Sequence, residues 1–328
     1  MNDADPDPTG PDRSGSGEDS YPAARDFAAS DEATGREDGT VSWGELLVEA
    51  REALAASGNP DAAGDARRII EEASGASPSA FLLGLDELVT EGGMSRYDRM
   101  LSRRLTGEPL QYVLGSWSFR TLDLMVDRRV LIPRPETEAV VEMALAELDL
   151  IGGTERETLV VDLGTGSGAI GLSVAAERVR SRVWLTDSSA DALDVARANI
   201  AGLGRSGARV SSALGSWFEA LPDDLRGTVD LIISNPPYVA TAIELPGEVT
   251  DWEPGSALWS GEDGTDDLRE IVAGAGEWLQ PEGVLVCELS PEQAGTVLEL
   301  ADGYFHDCRI ATDLTGRDRT LLARRPRS

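Results

Sequence analysis

The segment from Val160 to Gly168 reads Val-Val-Asp-Leu-Gly-Thr-Gly-Ser-Gly, an apolar strand that runs into glycines at 164, 166 and 168. Glycine at those positions removes Cβ atoms where the backbone must turn tightly and where a ligand can lie against it. A helix pattern follows at once over Ala169 to Glu177. The alternation then continues: strands over Val183–Asp187, Val210–Ala213, Val229–Ser234 and Val284–Leu289, with helices over Ala190–Leu203, Asp266–Leu279 and Pro291–Ala301. Two last strands, near Phe305–Thr312 and Thr320–Arg324, have no helix between them. Short apolar strands alternating with helices predict an α/β, doubly wound, Rossmann-like sheet that is mainly parallel, and the helix-less end predicts an antiparallel terminal pair.

The first part of the chain reads differently. Residues 1–40 are rich in Asp, Gly, Ser and Pro with few apolar positions, which predicts a disordered acidic leader. From Val41 helical spacing sets in: Trp43, Leu46, Leu47, Ala50 and Leu54 behind a Ser42 N-cap, then Asp61–Ala73, Pro78–Leu83 and Ser95–Leu105. Residues 41–115 are therefore expected to form a small helical bundle. From Ser118, Phe119, Leu122, Leu124, Val126, Val130 and Ile132 alternate with polar residues, which suits a β-hairpin or two extended strands in a linker over 116–135. Pro133 and Pro135 end it and open a helix over Glu136–Leu148, the start of a second domain over 136–328.

Composition excludes several chemistries. The chain of 328 residues carries 59 Asp and Glu against 29 Lys and Arg, every one of the latter Arg, for a formal charge of −30. A surface of that sign repels phosphate backbones and anionic membranes, so neither nucleic acid nor a membrane is expected as a partner. The acids run the whole length, which favours adaptation to high salt over a merely acidic tail. One histidine, His306, and two cysteines, Cys287 and Cys308, exclude a His/Cys metal cluster. His306 is expected on the surface or in a strand, and the cysteines as buried thiols of a reducing cytoplasm.

The glycine turn departs from a dinucleotide fingerprint, since its third glycine comes one residue early, and it lacks the Lys of a phosphate-binding loop. A neutral-to-cationic adenosyl ligand suits it better than a diphosphate. Asp187 closes the second strand, where an acidic side chain can accept both ribose hydroxyls of a nucleoside, or cap the next helix, or both. Asn235-Pro236-Pro237-Tyr238 ends an apolar strand, at the edge where α/β sheets bind ligands. The paired prolines lock the backbone, so that the Asn235 side-chain oxygen and the Pro236 carbonyl can accept both hydrogens of a planar NH₂ group, beside the aromatic wall of Tyr238. That arrangement suits methylation of an amide or exocyclic amine nitrogen, whose delocalised lone pair needs orientation more than a strong base.

With these residues in place, the chain resembles class I S-adenosylmethionine-dependent methyltransferases with an amino-methylating tip. Gly107-Glu108-Pro109-Leu110-Gln111-Tyr112-Val113-Leu114-Gly115 and Leu131-Ile132-Pro133-Arg134-Pro135-Glu136-Thr137-Glu138 resemble, more narrowly, the peptide chain release factor glutamine methyltransferases. Those enzymes methylate the side-chain nitrogen of the Gln in the Gly-Gly-Gln loop of class I release factors. The resemblance covers residues from about 41 to 325 and implies that residues 41–115 recognise the release factor. It implies S-adenosylmethionine as cofactor, held by Gly164, Thr165, Gly166, Ser167, Gly168, Asp187, Trp217 and Asn235, and a glutamine pocket made by Asn235, Pro236, Pro237 and Tyr238. Arg134 and Glu136 would shape the methionine end of the site, while Glu288 and Gln293 read as structural. The nearest rival, a glutamine methyltransferase of a large-subunit ribosomal protein, carries Pro-Arg-Ser-Pro where this chain has Pro133-Arg134-Pro135-Glu136-Thr137. An adenine-N6 methyltransferase of DNA or RNA shares the tip, but the charge and the lack of a basic patch count against it.

Overall fold

The computed structural model describes residues 39–81, 83–152 and 155–327. The leader expected over residues 1–40 lies, but for Gly39 and Thr40, outside the described residues. The first helix, α1 (Trp43–Ala56), starts where the Ser42 cap predicts: the Ser42 hydroxyl accepts from the Glu45 N–H, and the Glu45 carboxylate accepts from the Ser42 N–H at 2.8 Å. α2 (Ala62–Ser74) is capped by Asp61 and ends on left-handed Gly75. The expected third helix shrinks to a single turn, α3 (Pro78–Phe81).

α4 (Glu91–Leu105) begins a turn before the expected Ser95, on a Thr90 cap. Gly92 and Gly93 hide that turn from propensity reasoning. Gly93 is required there, because a Cβ would stand 2.8 Å from the Trp43 ring. A short helix the periodicity does not reveal, α5 (Leu110–Leu114), follows between Pro109 and left-handed Gly115. The bundle buries Leu46, Leu54, Ile69, Ile70 and Tyr97 in one core, and each fully buried aliphatic side chain contributes about 1.5–3 kcal/mol.

The hairpin pairs β1 (Ser116–Phe119) antiparallel with β2 (Leu122–Met125), so strand pairing stops well short of Val130. The second domain then runs α6 (Pro135–Leu150), β3 (Thr158–Leu163), α7 (Ala169–Glu177), β4 (Ser181–Asp187), α8 (Ala190–Gly202), β5 (Val210–Leu214) and β6 (Val229–Ser234). After it come α9 (Gly247–Thr250), α10 (Asp266–Trp278), β7 (Leu279–Glu288), α11 (Ala294–Tyr304), β8 (Phe305–Thr312) and β9 (Asp318–Pro326). Val126, Val130 and Ile132, expected in a strand, are instead buried with Tyr112 of α5 and with Ala192 and Val195 of α8. Their alternation reflects burial without sheet pairing.

The sheet order is β5-β4-β3-β6-β7-β9-β8, parallel from β5 to β7, with β9 antiparallel to both its neighbours. The predicted mainly parallel sheet with an antiparallel terminal pair is therefore observed. Neighbouring strand residues face opposite layers: Val160, Leu231 and Val284 pack toward α6 and α7, while Val161, Ile232 and Leu285 pack toward α10 and α11. Leu163 of β3 is in register with Thr186 of β4 and Ser234 of β6. The loops leaving these three strands consequently share one edge. His306 is exposed on β8, as expected, and the two cysteines are free thiols, Cys287 buried and Cys308 half-buried. Among the described residues, no helix is long and apolar enough to cross a membrane, and no cluster of His, Cys, Asp or Glu has the makings of a metal site.

Candidate active site

The loop from Gly164 to Gly168 folds back on its own strand. Gly164, Gly166 and Gly168 all take positive φ, of 67°, 55° and 87°, which L side chains adopt only at a cost. The buried Asp162 carboxylate holds the loop from below: Oδ2 accepts from the Thr165 hydroxyl at 2.6 Å and from the Gly171 N–H at 2.9 Å. Its Oδ1 is buried without a partner among the described residues, and burial pushes the carboxyl up to about 7. Ser167 is buried and its carbonyl accepts from Asn199 Nδ2 at 2.8 Å. A Cβ on Gly168 would stand 2.8 Å from Leu172. Thr165, Ser167 and Gly168 thus brace the loop, and Gly164 and Gly166 face outward.

Asp187 meets the loop from β4. Its carboxylate accepts the Gly166 N–H at 2.9 Å and the Ser189 N–H at 2.8 Å, and burial raises its proton affinity against those bonds. Both readings of Asp187 allowed by the sequence are compatible with this geometry, since it ties down the turn before α8 and still has lone pairs free. Trp217 is half-buried, with φ of 42° in the left-handed region and its ring 3.0 Å from where a Gly164 Cβ would stand. Glycine at 164 is what lets the indole approach the backbone.

The Asn-Pro-Pro-Tyr tip leaves β6 beside the loop, held there by the Ser234 hydroxyl, which donates to the Leu163 carbonyl at 2.7 Å. Asn235 Nδ2 donates to Thr137 Oγ1 at 3.3 Å, and Thr137 Oγ1 donates to Glu288 Oε2 at 2.7 Å. The Tyr238 hydroxyl donates to the other oxygen, Glu288 Oε1, at 3.2 Å. Gln293 Nε2 fixes the far end by donating to the Tyr238 and Gly264 carbonyls, both at 2.8 Å. Asn235 Oδ1 is buried with no partner among the described residues, and a buried acceptor left unpaired has room for a donor from outside the chain, a water or a ligand.

A cavity of about 180 Å³ opens at this edge, lined by Gly164, Gly166, Asp187, Trp217, Asn235 and Pro237. The structure therefore brings together Gly164 and Gly166 of the predicted loop, Asp187, Trp217, and Asn235 and Pro237 of the tip, whereas Thr165, Ser167 and Gly168 do not line the cavity. Pro236 is buried and Tyr238 half-buried behind the cavity wall. Arg134 and Glu136 do not join it. Arg134 pairs with Glu253 in a second depression toward the helical bundle, and Glu136 lines a groove beside Leu314. Sequence reasoning misses the wall supplied by Arg129, Val130, Pro254 and Ala257, and treats Glu288 as structural. One signal is available for Glu288: it is a carboxylate at the end of the apolar strand β7, one residue beyond Cys287, the register partner of Ser234.

Comparison with known proteins gives the same assignment. Residues 45–115 match the PrmC N-terminal domain model, and residues 145–247 match the methyltransferase small domain model. A release factor glutamine methyltransferase of Cereibacter sphaeroides is 38% identical over 276 residues, covering 83% of this chain and 95% of that one. The chain belongs to the release factor glutamine methyltransferase family. Another member, from Xylella fastidiosa, is 43% identical over 70% of this chain and 81% of its own, and one from Agrobacterium fabrum is 36% identical over 89% and 100%. As a member of this family the chain is an enzyme, a methyltransferase.

The cavity suits S-adenosylmethionine, the methyl donor the family implies. Space lies open over Gly166, where a Cβ would meet nothing within 4 Å. The Asp187 carboxylate is matched to a ribose diol, the Trp217 ring to the face of an adenine, and the orphaned Asn235 oxygen to an N–H donor.

Proposed function

We propose that this enzyme transfers a methyl group from S-adenosylmethionine to the side-chain amide nitrogen of the glutamine in the Gly-Gly-Gln loop of class I release factors. The observation that carries the reading is the buried, unpartnered Oδ1 of Asn235, set on a cavity wall beside the glycine loop and followed by two prolines. Asn235 Oδ1 and the Pro236 carbonyl accept the two N–H bonds of the substrate amide, and Pro237 and Tyr238 close the pocket around it. When bound, S-adenosylmethionine would supply the electrophilic methyl group on its sulfonium: the N–C bond forms as the S–C bond breaks, the neutral thioether leaves, and the amide nitrogen releases one proton to solvent. Gly164 to Gly168, Asp187, Trp217 and Asn235 hold the cofactor. The chain's contribution to rate is orientation of a weak nucleophile and stabilisation of positive charge as it develops on nitrogen. No histidine is required.

Residues 41–115 serve to recognise the release factor, the hairpin region over 116–135 links them to the catalytic domain over 136–328, and the enzyme works in the cytoplasm. The relatives' names, each a release factor glutamine methyltransferase, support this substrate over a ribosomal protein or an adenine base. The test is transfer of labelled methyl from S-adenosylmethionine to purified release factor, large-subunit ribosomal protein and nucleic acid in parallel, at low and molar salt. Label in the release factor is expected, lost when its Gly-Gly-Gln glutamine is replaced. Label in ribosomal protein or nucleic acid alone would overturn the reading.

A further inference from the structure

One buried carboxylate holds both ends of the proposed catalytic tip. Glu288 is 1% exposed and accepts two hydroxyl protons, from Thr137 on one oxygen and from Tyr238 on the other. With both of its oxygens accepting, Glu288 fixes the direction of the bonds upstream. With its single proton committed to Glu288, Thr137 Oγ1 has only lone pairs left for Asn235. The Asn235 amide must then present Nδ2 to Thr137, as observed at 3.3 Å, and its oxygen faces the other way. Turning that amide over would set oxygen against oxygen at Thr137 and offer an N–H where the substrate needs an acceptor. Thr137 itself sits in the first turn of α6, 3% exposed, and so has little room to rearrange.

We infer that Glu288 and Thr137 are positioning residues, which fix the Asn235 amide so that Oδ1 is the acceptor offered to the substrate nitrogen. The inference rests on the glutamine-methylation reading above. It assigns the substrate's polarity: the tip takes a group that donates two N–H bonds, and disfavours a carboxylate or hydroxyl-only acceptor such as a glutamate in the same loop. Burial raises the proton affinity of Glu288, against the opposing bonds from Thr137 and Tyr238 and the charge of Arg319, while the charge of Glu136 adds to the rise.

The test compares Thr137→Val, which keeps shape and removes the hydroxyl, with Thr137→Ser, which restores it, and with Glu288→Gln. Each full-length variant is assayed for kcat and KM on purified release factor, for S-adenosylmethionine affinity by calorimetry, and for Tm. A misdirected amide at the reacting centre is expected to lower kcat of Thr137→Val and Glu288→Gln by about 10- to 100-fold. Cofactor affinity should stay within about threefold in both, and Thr137→Ser should recover most of the lost kcat. A Thr137→Val enzyme with kcat within about twofold of the parent would overturn the inference. So would a Thr137→Ser enzyme as slow as Thr137→Val, since that result marks packing rather than the hydroxyl. If Glu288→Gln does not fold, the threonine pair decides alone. A parent enzyme that leaves the release factor unlabelled would instead sink the function reading itself, before any variant is compared.

Discussion

The Gly166 backbone N–H donates to Asp187 Oδ2 at 2.9 Å, so the acid that ends β4 also clamps the turn that ends β3. The same carboxylate accepts from Ser189 at the start of α8. In the proposed cofactor site, ligand binding and loop geometry would thereby be coupled through one side chain. Replacing Asp187 removes the acceptor for a ribose diol and leaves two backbone N–H groups without their partner. Charge-assisted bonds of this kind contribute about 1.5–3 kcal/mol. Asp187→Ala is expected to raise the dissociation constant for S-adenosylmethionine about 10- to 100-fold, with Asp187→Asn milder because it keeps one acceptor. Titration calorimetry checks this, and an unchanged affinity in Asp187→Ala would remove Asp187 from the cofactor site.

Asn235 should separate from Asp187 in kinetics. Its Oδ1 has no partner among the described residues, so the side chain loses little within the fold when truncated beyond its bond to Thr137. Asn235→Ala is expected to lower kcat on release factor by about 10²- to 10³-fold, the range seen for loss of one preorganised group facing developing charge. Cofactor affinity should fall far less. Equal losses in turnover and affinity would make Asn235 chiefly a cofactor contact.

Much of this site is legible in the sequence, because glycine spacing and a proline pair dictate backbone geometry locally. Gly164, Gly166, Asp187, Asn235 and Pro237 come to one cavity since each ends or follows a parallel strand, and such strands end at one edge. What is not legible depends on contacts between distant segments. Thr137 and Glu288 stand 151 positions apart, and nothing local to either announces their bond. The same holds for α4, whose first turn contains two glycines that only the Trp43 ring explains. Arg134 shows the same limit: its motif suggests the cofactor site, and nothing local to it announces the ion pair it makes with Glu253, 119 positions away.

Asp162 makes stability depend on pH in an unusual direction for an acid. Its carboxyl is pushed up to about 7 by burial, with the Asp187 charge adding to the effect and the bonds from Thr165 and Gly171 opposing it. The folded protein therefore keeps a proton that the unfolded chain releases near its ordinary value of 3.8. That contribution is complete below the unfolded value and disappears as pH rises through about 7. Asp162→Asn mimics the protonated form at every pH. Urea unfolding should find the variant more stable than the parent at about pH 8.5, by up to a few kcal/mol, because each tenfold gain in proton affinity on folding corresponds to about 1.4 kcal/mol. At about pH 4 the two should be nearly equal. A constant difference across that range would show that Asp162 is ionised throughout.

The charge excess makes its own forecast. Arginines pair where they can: Arg120 with Glu177 and Glu142, Arg324 with Glu147 and Asp307, Arg104 with Asp65 and Glu248. With 59 acids against 29 cations, many carboxylates have only like-charged neighbours to balance against water. Salt weakens both attraction and repulsion, but exposed repulsion outweighs the partly buried pairs, which are screened less. Tm is therefore expected to rise with KCl. The screening length falls from about 10 Å at 0.1 M to about 3 Å at 1 M, so most of the rise should come below about 0.5 M. Exclusion of salt from the surface would instead raise Tm steadily into the molar range. A melt series in KCl distinguishes the two, and a Tm that falls with added salt would show that the ion pairs, not the excess acids, govern the stability of this fold.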